Sequence, residues 1–118
     1  MAVIRQQINI LCGTLTADGD SSAQIQIATG AYSGSCTYWL EVVGKRASGT
    51  CTVTLHDAVN NVHATCSITG TTDALVRAQF SAAPDAGAAT YHLNIAGGST
   101  TPIIKAARVV VLQTSTPL

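Results

Sequence analysis

Apolar and polar residues alternate with a period of two along most of this chain, the spacing of a β-strand with one buried face. Ile4, Ile8, Ile10 and Cys12 share one face of a first segment, with Gln6 the exception. Ala23, Ile25 and Ile27 alternate with Gln24 and Gln26. Cys36, Tyr38, Leu40 and Val42 alternate with Thr37, Trp39, Glu41 and Val43, and Cys51, Val53 and Leu55 with Thr52, Thr54 and His56. Further segments run over 62–68, over Ala74, Val76, Ala78 and Phe80, over Tyr91, Leu93 and Ile95, and from Ile103 to Gln113. Turn signals separate them: Asp18-Gly19-Asp20, Gly30 to Ser35, Gly44 to Gly49, Asn60-Asn61, Gly70 to Asp73, Pro84 to Gly87 and Gly97-Gly98-Ser99. Eight short strands without a helical period predict an all-β fold, an eight-stranded antiparallel β-sandwich of jelly-roll type, as one domain over residues 1–118.

One hairpin can be read in register. Asn tolerates the left-handed conformation, so Asn60-Asn61 suits a two-residue turn. That turn pairs Val59 with Val62, Leu55 with Cys66 and Val53 with Ile68, and leaves a continuous apolar face. It also points His56 and His63 outward as diagonal neighbours. The expected core is Ile25, Ile27, Tyr38, Leu40, Val42, Val53, Leu55, Ile68, Tyr91, Leu93 and Ile95. The last segment is apolar on both faces around Val109 to Leu112, so it is either a central strand or covered by another subunit.

Composition adds two constraints. Charged residues make up only 10% of the chain, six basic against six acidic, and the formal charge is zero. Neutrality argues against a nucleic-acid partner, which needs a basic face. Sparse charge also favours association. Met1 to Ile8 show no apolar leader core, and no run reaches the ~20 apolar residues of a membrane span, so neither a secretory signal nor a membrane partner is expected. Cys12, Cys36, Cys51 and Cys66 all fall on inward faces and are expected to be reduced core residues, with a Cys12–Cys36 bridge the alternative.

Candidate chemistry is thin. Asp18 and Asp20 sit in a turn without the rest of a calcium loop. His56 and His63 alone make a weak metal site, and no Cys-x-x-Cys pair exists for zinc. There is no Gly-x-Ser-x-Gly elbow, and Glu41 is the only glutamate, which leaves no carboxylate pair for glycoside hydrolysis. The expectation is therefore no enzyme, no catalytic residues, no metal and no cofactor. The residues singled out are interface or ligand-stacking candidates: the outward Trp39 and Val43, and Val109 and Val111 in the apolar last strand.

Tyr38 to Gly44, Ser48 to Asp57 and Lys105 to Gln113 resemble jelly-roll modules of the carbohydrate-binding type, over roughly residues 36–113. At fold level the chain also resembles the decoration (cement) proteins of tailed-phage capsids. The second resemblance implies a structural virion protein, assembled in the host cytoplasm as a homo-oligomer, first of all a trimer, on a capsid protein. It accounts for the missing leader, the free cysteines, the low charge and the apolar last strand. The first resemblance implies the alternative, an extracellular module that binds a glycan, and it accounts for the outward Trp39.

Overall fold

The computed structural model describes residues 2–15, 19–28, 35–46, 49–96 and 102–115; the side chains of 2–4, 11–15, 20–23 and 114–115 lie outside that description. It contains eight strands: β1 (Ala2–Leu15), β2 (Gly19–Ala28), β3 (Ser35–Arg46), β4 (Cys51–Asp57), β5 (Val62–Ile68), β6 (Ala74–Gln79), β7 (Ala88–Ala96) and β8 (Pro102–Ser115). They form two four-stranded antiparallel sheets, β1-β8-β3-β6 and β2-β7-β4-β5. Of the consecutive strands only β4 and β5 pair as neighbours in one sheet, and this crossing pattern is that of a jelly roll. No helix of the described residues is long and apolar enough to cross a membrane. The expected turns at 30–34 and 97–99, and Asp18, fall outside the described residues.

Alternation built this core. Ile25, Ile27, Leu40, Val42, Val53, Leu55, Ile68, Tyr91, Leu93 and Ile95 are all buried between the sheets. Tyr38 is only half-buried, its ring 5.7 Å from that of Phe80 at the edge of the core. Cys36, Cys51 and Cys66 carry free thiols, the last two fully inside; the Cys12 side chain lies outside the description. At Val43/Gly44 the β3–β8 ladder shifts register, and the strands come so close that a Cβ on Gly44 would stand 2.7 Å from the Ile103 carbonyl oxygen.

The apolar last strand has an internal explanation. β8 lies between β1 and β3, and Val109 and Val111 point into the sandwich with no exposed surface. This corrects their assignment as interface residues. Val110 belongs to the opposite face, between Gln7 and Trp39, yet it too is fully buried, so its neighbours in the sheet close over it. A central strand needs no partner subunit, and the argument for a trimer drawn from this run lapses.

The β4–β5 hairpin also departs from the expected register. Leu55 pairs with Ala64, Val53 with Cys66 and Cys51 with Ile68, a slip of two residues. A slip of two preserves the inward face, which is why the apolar pattern could not reveal it. The cause is Asp57. Its Oδ1 accepts hydrogen bonds from the N–H groups of Val59 and Asn61 and stretches the connection to four residues, with Asn60 alone left-handed at φ 64°. Between Leu55–Ala64 and His56–Val62 the ladder skips one residue, and that extra residue is His63. The bulge turns it inward, where it is buried, not outward as the plain alternation has it.

Candidate functional site

The outer face of the β1-β8-β3-β6 sheet gathers most of the chemistry. Register places Gln7, Val110, Trp39 and Gln79 in one row across it, and Asn9, Arg108, Glu41 and Arg77 in the next. Beyond these, Val43 pairs with Ala106 on one side and Leu75 on the other. Successive rows are about 6.7 Å apart. Glu41 is nearly buried, its side chain 5% exposed, and three guanidinium groups converge on it. Arg108 Nε donates to Oε1 at 2.6 Å, Arg5 Nη2 to the same oxygen at 3.3 Å, and Arg77 Nε lies 3.6 Å from Oε2. A buried carboxylate has to be paired and hydrogen-bonded. Here the pairing leaves more cation than anion.

Arg77 serves a second neighbour. Its guanidinium carbon lies 4.0 Å from the centroid of the Trp39 ring, a cation–π stack, and the indole N–H reaches Thr37 Oγ1 at 3.3 Å. A shallow depression beside the stack is lined by Asn9, Glu41, Val43, Leu75, Ala106 and Arg108. Trp39 and Val43 thus lie on one surface, half-buried, and Leu75 adds an apolar margin with 53% of its surface exposed.

All six Lys and Arg residues of the chain lie on strands of this sheet: Arg5, Lys45, Arg46, Arg77, Lys105 and Arg108. The same strands carry a single acid, Glu41, and Lys105 is paired at 2.5 Å with Asp73 just ahead of β6. That pairing holds the Asp73 carboxyl below its ordinary range, by the hydrogen bond first and then, against some burial, by the charges of Lys105 and Lys45. Net neutrality therefore conceals an uneven distribution, with the cations on the strands of one sheet.

A second cluster closes one end of the sandwich. His63 Nε2 lies 3.1 Å from Asp57 Oδ2 and 3.7 Å from Asp85 Oδ1 in the β6–β7 connection. Burial opposes the charge on Asp57. Hydrogen bonds from the Asn61 N–H, from His63 and Asp85, and from the Val59 N–H outweigh it and hold this carboxyl well below the usual carboxylate range. Asp85 is pushed the other way, by its hydrogen bond to Asp57, by burial and by the Asp57 charge, with His63 opposing. The Asp85 N–H donates to the Tyr91 hydroxyl at 2.8 Å, which fixes the connection to the core. His56, expected beside His63, neighbours His92 instead, with ring centroids 5.6 Å apart.

Alternation marks Trp39 and Val43 as outward, but neither the Glu41 cluster nor the Asp57–His63–Asp85 cluster is legible in it. The outward parity of Glu41 and Arg77 was visible, but bringing Arg5 and Arg108 to them required the strand order. Asp57 did carry a signal, an Asp two residues ahead of a turn. The bulge at His63 hid the rest.

No family model and no curated protein matches this chain. Solved structures do. The CBM36-1 domain of a multidomain xylanase from the hindgut metagenome of Trinervitermes trinervoides superposes with a TM-score of 0.58 at 11% identity, over 97% of this chain and all of that one. The carbohydrate-binding module CBM36 in complex with calcium and xylotriose superposes with a TM-score of 0.51 at 12% identity, over 96% of this chain and all of that one. At such identities the likeness is one of fold: the chain has the jelly-roll sandwich of these carbohydrate-binding modules.

Proposed function

We propose that this chain is a non-enzymatic glycan-binding module that takes its ligand on the outer face of the β1-β8-β3-β6 sheet. The observation that carries this reading is the Trp39–Arg77 stack, set in a row of glutamines beside a carboxylate ringed by three arginines. A sugar ring presents apolar C–H faces and a rim of hydroxyls. Indole and guanidinium are flat, weakly hydrated surfaces for the former. The latter need hydrogen-bonding forks, and three guanidinium groups sharing one carboxylate keep N–H donors to spare. The fold supports the same reading, since both solved neighbours are carbohydrate-binding modules and one is a complex with xylotriose. An extracellular setting goes with it, in place of a virion.

Affinity electrophoresis tests it. Native gels containing neutral xylan, uronate-bearing xylan or a cellulose derivative should retard the protein in at least one case. Trp39→Ala should abolish the retardation while leaving the circular dichroism unchanged. Migration unaffected by every polysaccharide, equal retardation of Trp39→Ala, or retention by a single-stranded oligonucleotide alone would each overturn the proposal.

A further inference from the structure

The cluster at the end of the sandwich has the attributes of a metal site, and this is independent of the glycan-binding reading. One potential ligand atom each from Asp57, His63 and Asp85 lie within 4.8 Å of one another. The imidazole is fixed in direction. Its Nδ1 lies 3.3 Å from the Ala82 carbonyl oxygen, which can only accept, so Nδ1 carries the proton. Nε2 faces Asp57 Oδ2 at 3.1 Å and Asp85 Oδ1 at 3.7 Å, a position that a shared proton or a metal ion can fill. Three lone pairs converging on one point call for a positive species between them.

Three features favour a metal ion in that place. The first is the outer shell. Metal-bound imidazoles commonly donate their other N–H to a backbone carbonyl, and bound carboxylates are themselves hydrogen-bonded. His63 does the former with Ala82, and Asp57 the latter through Oδ1, which takes the Val59 and Asn61 N–H groups and leaves Oδ2 for one more partner. The second is spacing. Four ligands about 2.0–2.1 Å from a zinc ion stand roughly 3.3–3.4 Å apart, and the separations of 3.1 and 3.7 Å bracket that value. The third is access. The Asp57 and His63 side chains are buried, whereas Asp85 is 44% exposed, so a fourth position opens to solvent. Tyr91, edge-on at 5.2 Å, packs the imidazole in place.

The donor set selects the metal. Calcium takes six to eight oxygens and would gain nothing from His63. Soft ions prefer thiolates, and none is among these ligands. One imidazole and two carboxylates suit zinc and its like. We propose that Asp57, His63 and Asp85 form a three-ligand site for a divalent transition metal of the zinc type, with one coordination position open to solvent.

The test is titration of the full chain, stripped with a chelator, with Zn2+ by calorimetry and with Co2+ by visible absorption. One equivalent should bind. Cobalt should show the intense bands of a low-coordinate site, Zn2+ should raise the thermal midpoint, and Ca2+ should do neither. His63→Ala removes a buried ring and can fail to fold, so the deciding variant is Asp85→Asn on the exposed side. It should keep its circular dichroism and bind Zn2+ at least about tenfold more weakly. Absence of zinc binding by the natively folded protein overturns the site, because a proton then occupies the cluster. So does undiminished binding by Asp85→Asn, which would move the metal to another set such as His56 and His92, and so does a preference for Ca2+.

Discussion

The two sheets of this sandwich have alike inner faces and unlike outer ones. Inside, both contribute Val, Ile and Leu to one core. Outside, β2-β7-β4-β5 presents Thr52, Thr54, Thr65, Gln24, Gln26, His92 and Asn94, and its strands hold no Lys or Arg. The outer face of β1-β8-β3-β6 holds a nearly buried glutamate, three arginines and the Trp39 stack. A Thr-rich face meets the demands of solvation with short neutral hydroxyls, two of which, on Thr52 and Thr54, donate to the Ala96 and Asn94 carbonyls of β7. Burying Glu41 demands cations, and Arg5, Arg77 and Arg108 meet the demand. Both outer faces are polar, and what separates them is a nearly buried charge that has to be paired.

The inner faces should respond equally. Leu40→Ala in one sheet and Leu93→Ala in the other each empty a fully buried position, and each should cost about 2–5 kcal/mol in chemical denaturation. A loss below about 0.5 kcal/mol in one alone would mean that the two sheets do not share a core.

The outer faces should respond differently. Glu41→Gln leaves Arg5, Arg77 and Arg108 without their carboxylate. Breaking a buried pair costs about 3–5 kcal/mol, but these arginines are a third to a half exposed, so roughly 1–3 kcal/mol is expected, less in high salt. Thr65→Val on the other face should stay within about 0.5 kcal/mol. Equal effects, or a Glu41→Gln cost indifferent to salt, would dissolve the contrast.

A pH-dependent effect lies where the sheets meet. Cys66 of β5 points its thiol at the carbonyls of Leu40 and Val76 in the opposite sheet, at 3.5 and 3.8 Å. Burial, and then the Glu41 charge, push its pKa from the ordinary 9.0 up to about 11. Because the folded value lies above the unfolded one, the neutral thiol's contribution is complete below pH 9 and fades as pH rises towards 11. Stability measured from pH 8 to 11 should fall more steeply in the parent than in Cys66→Ala, and parallel profiles would show that the thiol does not span the two sheets in solution. Below pH 9 the native protein should leave this thiol unmodified by alkylating reagents.

Period-two alternation needs no knowledge of partners, because each residue's parity alone assigns it to core or solvent. The eight strands and nearly the whole core were therefore written along the chain, as was the exterior position of Trp39. Parity cannot distinguish a register from one slipped by two residues, so the hairpin's register rests on Asp57, whose side chain sets the loop length. Nor can parity foresee the bulge that turns His63 inward. Whether Val109 to Leu112 needed a partner depended on strand order, and strand order depends on crossovers between sheets that leave no local mark. The same crossovers carry Arg5, Glu41, Arg77 and Arg108 to one carboxylate, and the β4–β5 and β6–β7 connections carry Asp57, His63 and Asp85 to one point. The sequence by itself determined which way most residues face, a matter of local geometry. Only the tertiary structure decided which of them meet, because pairing between distant strands is settled by the packing of the whole sandwich.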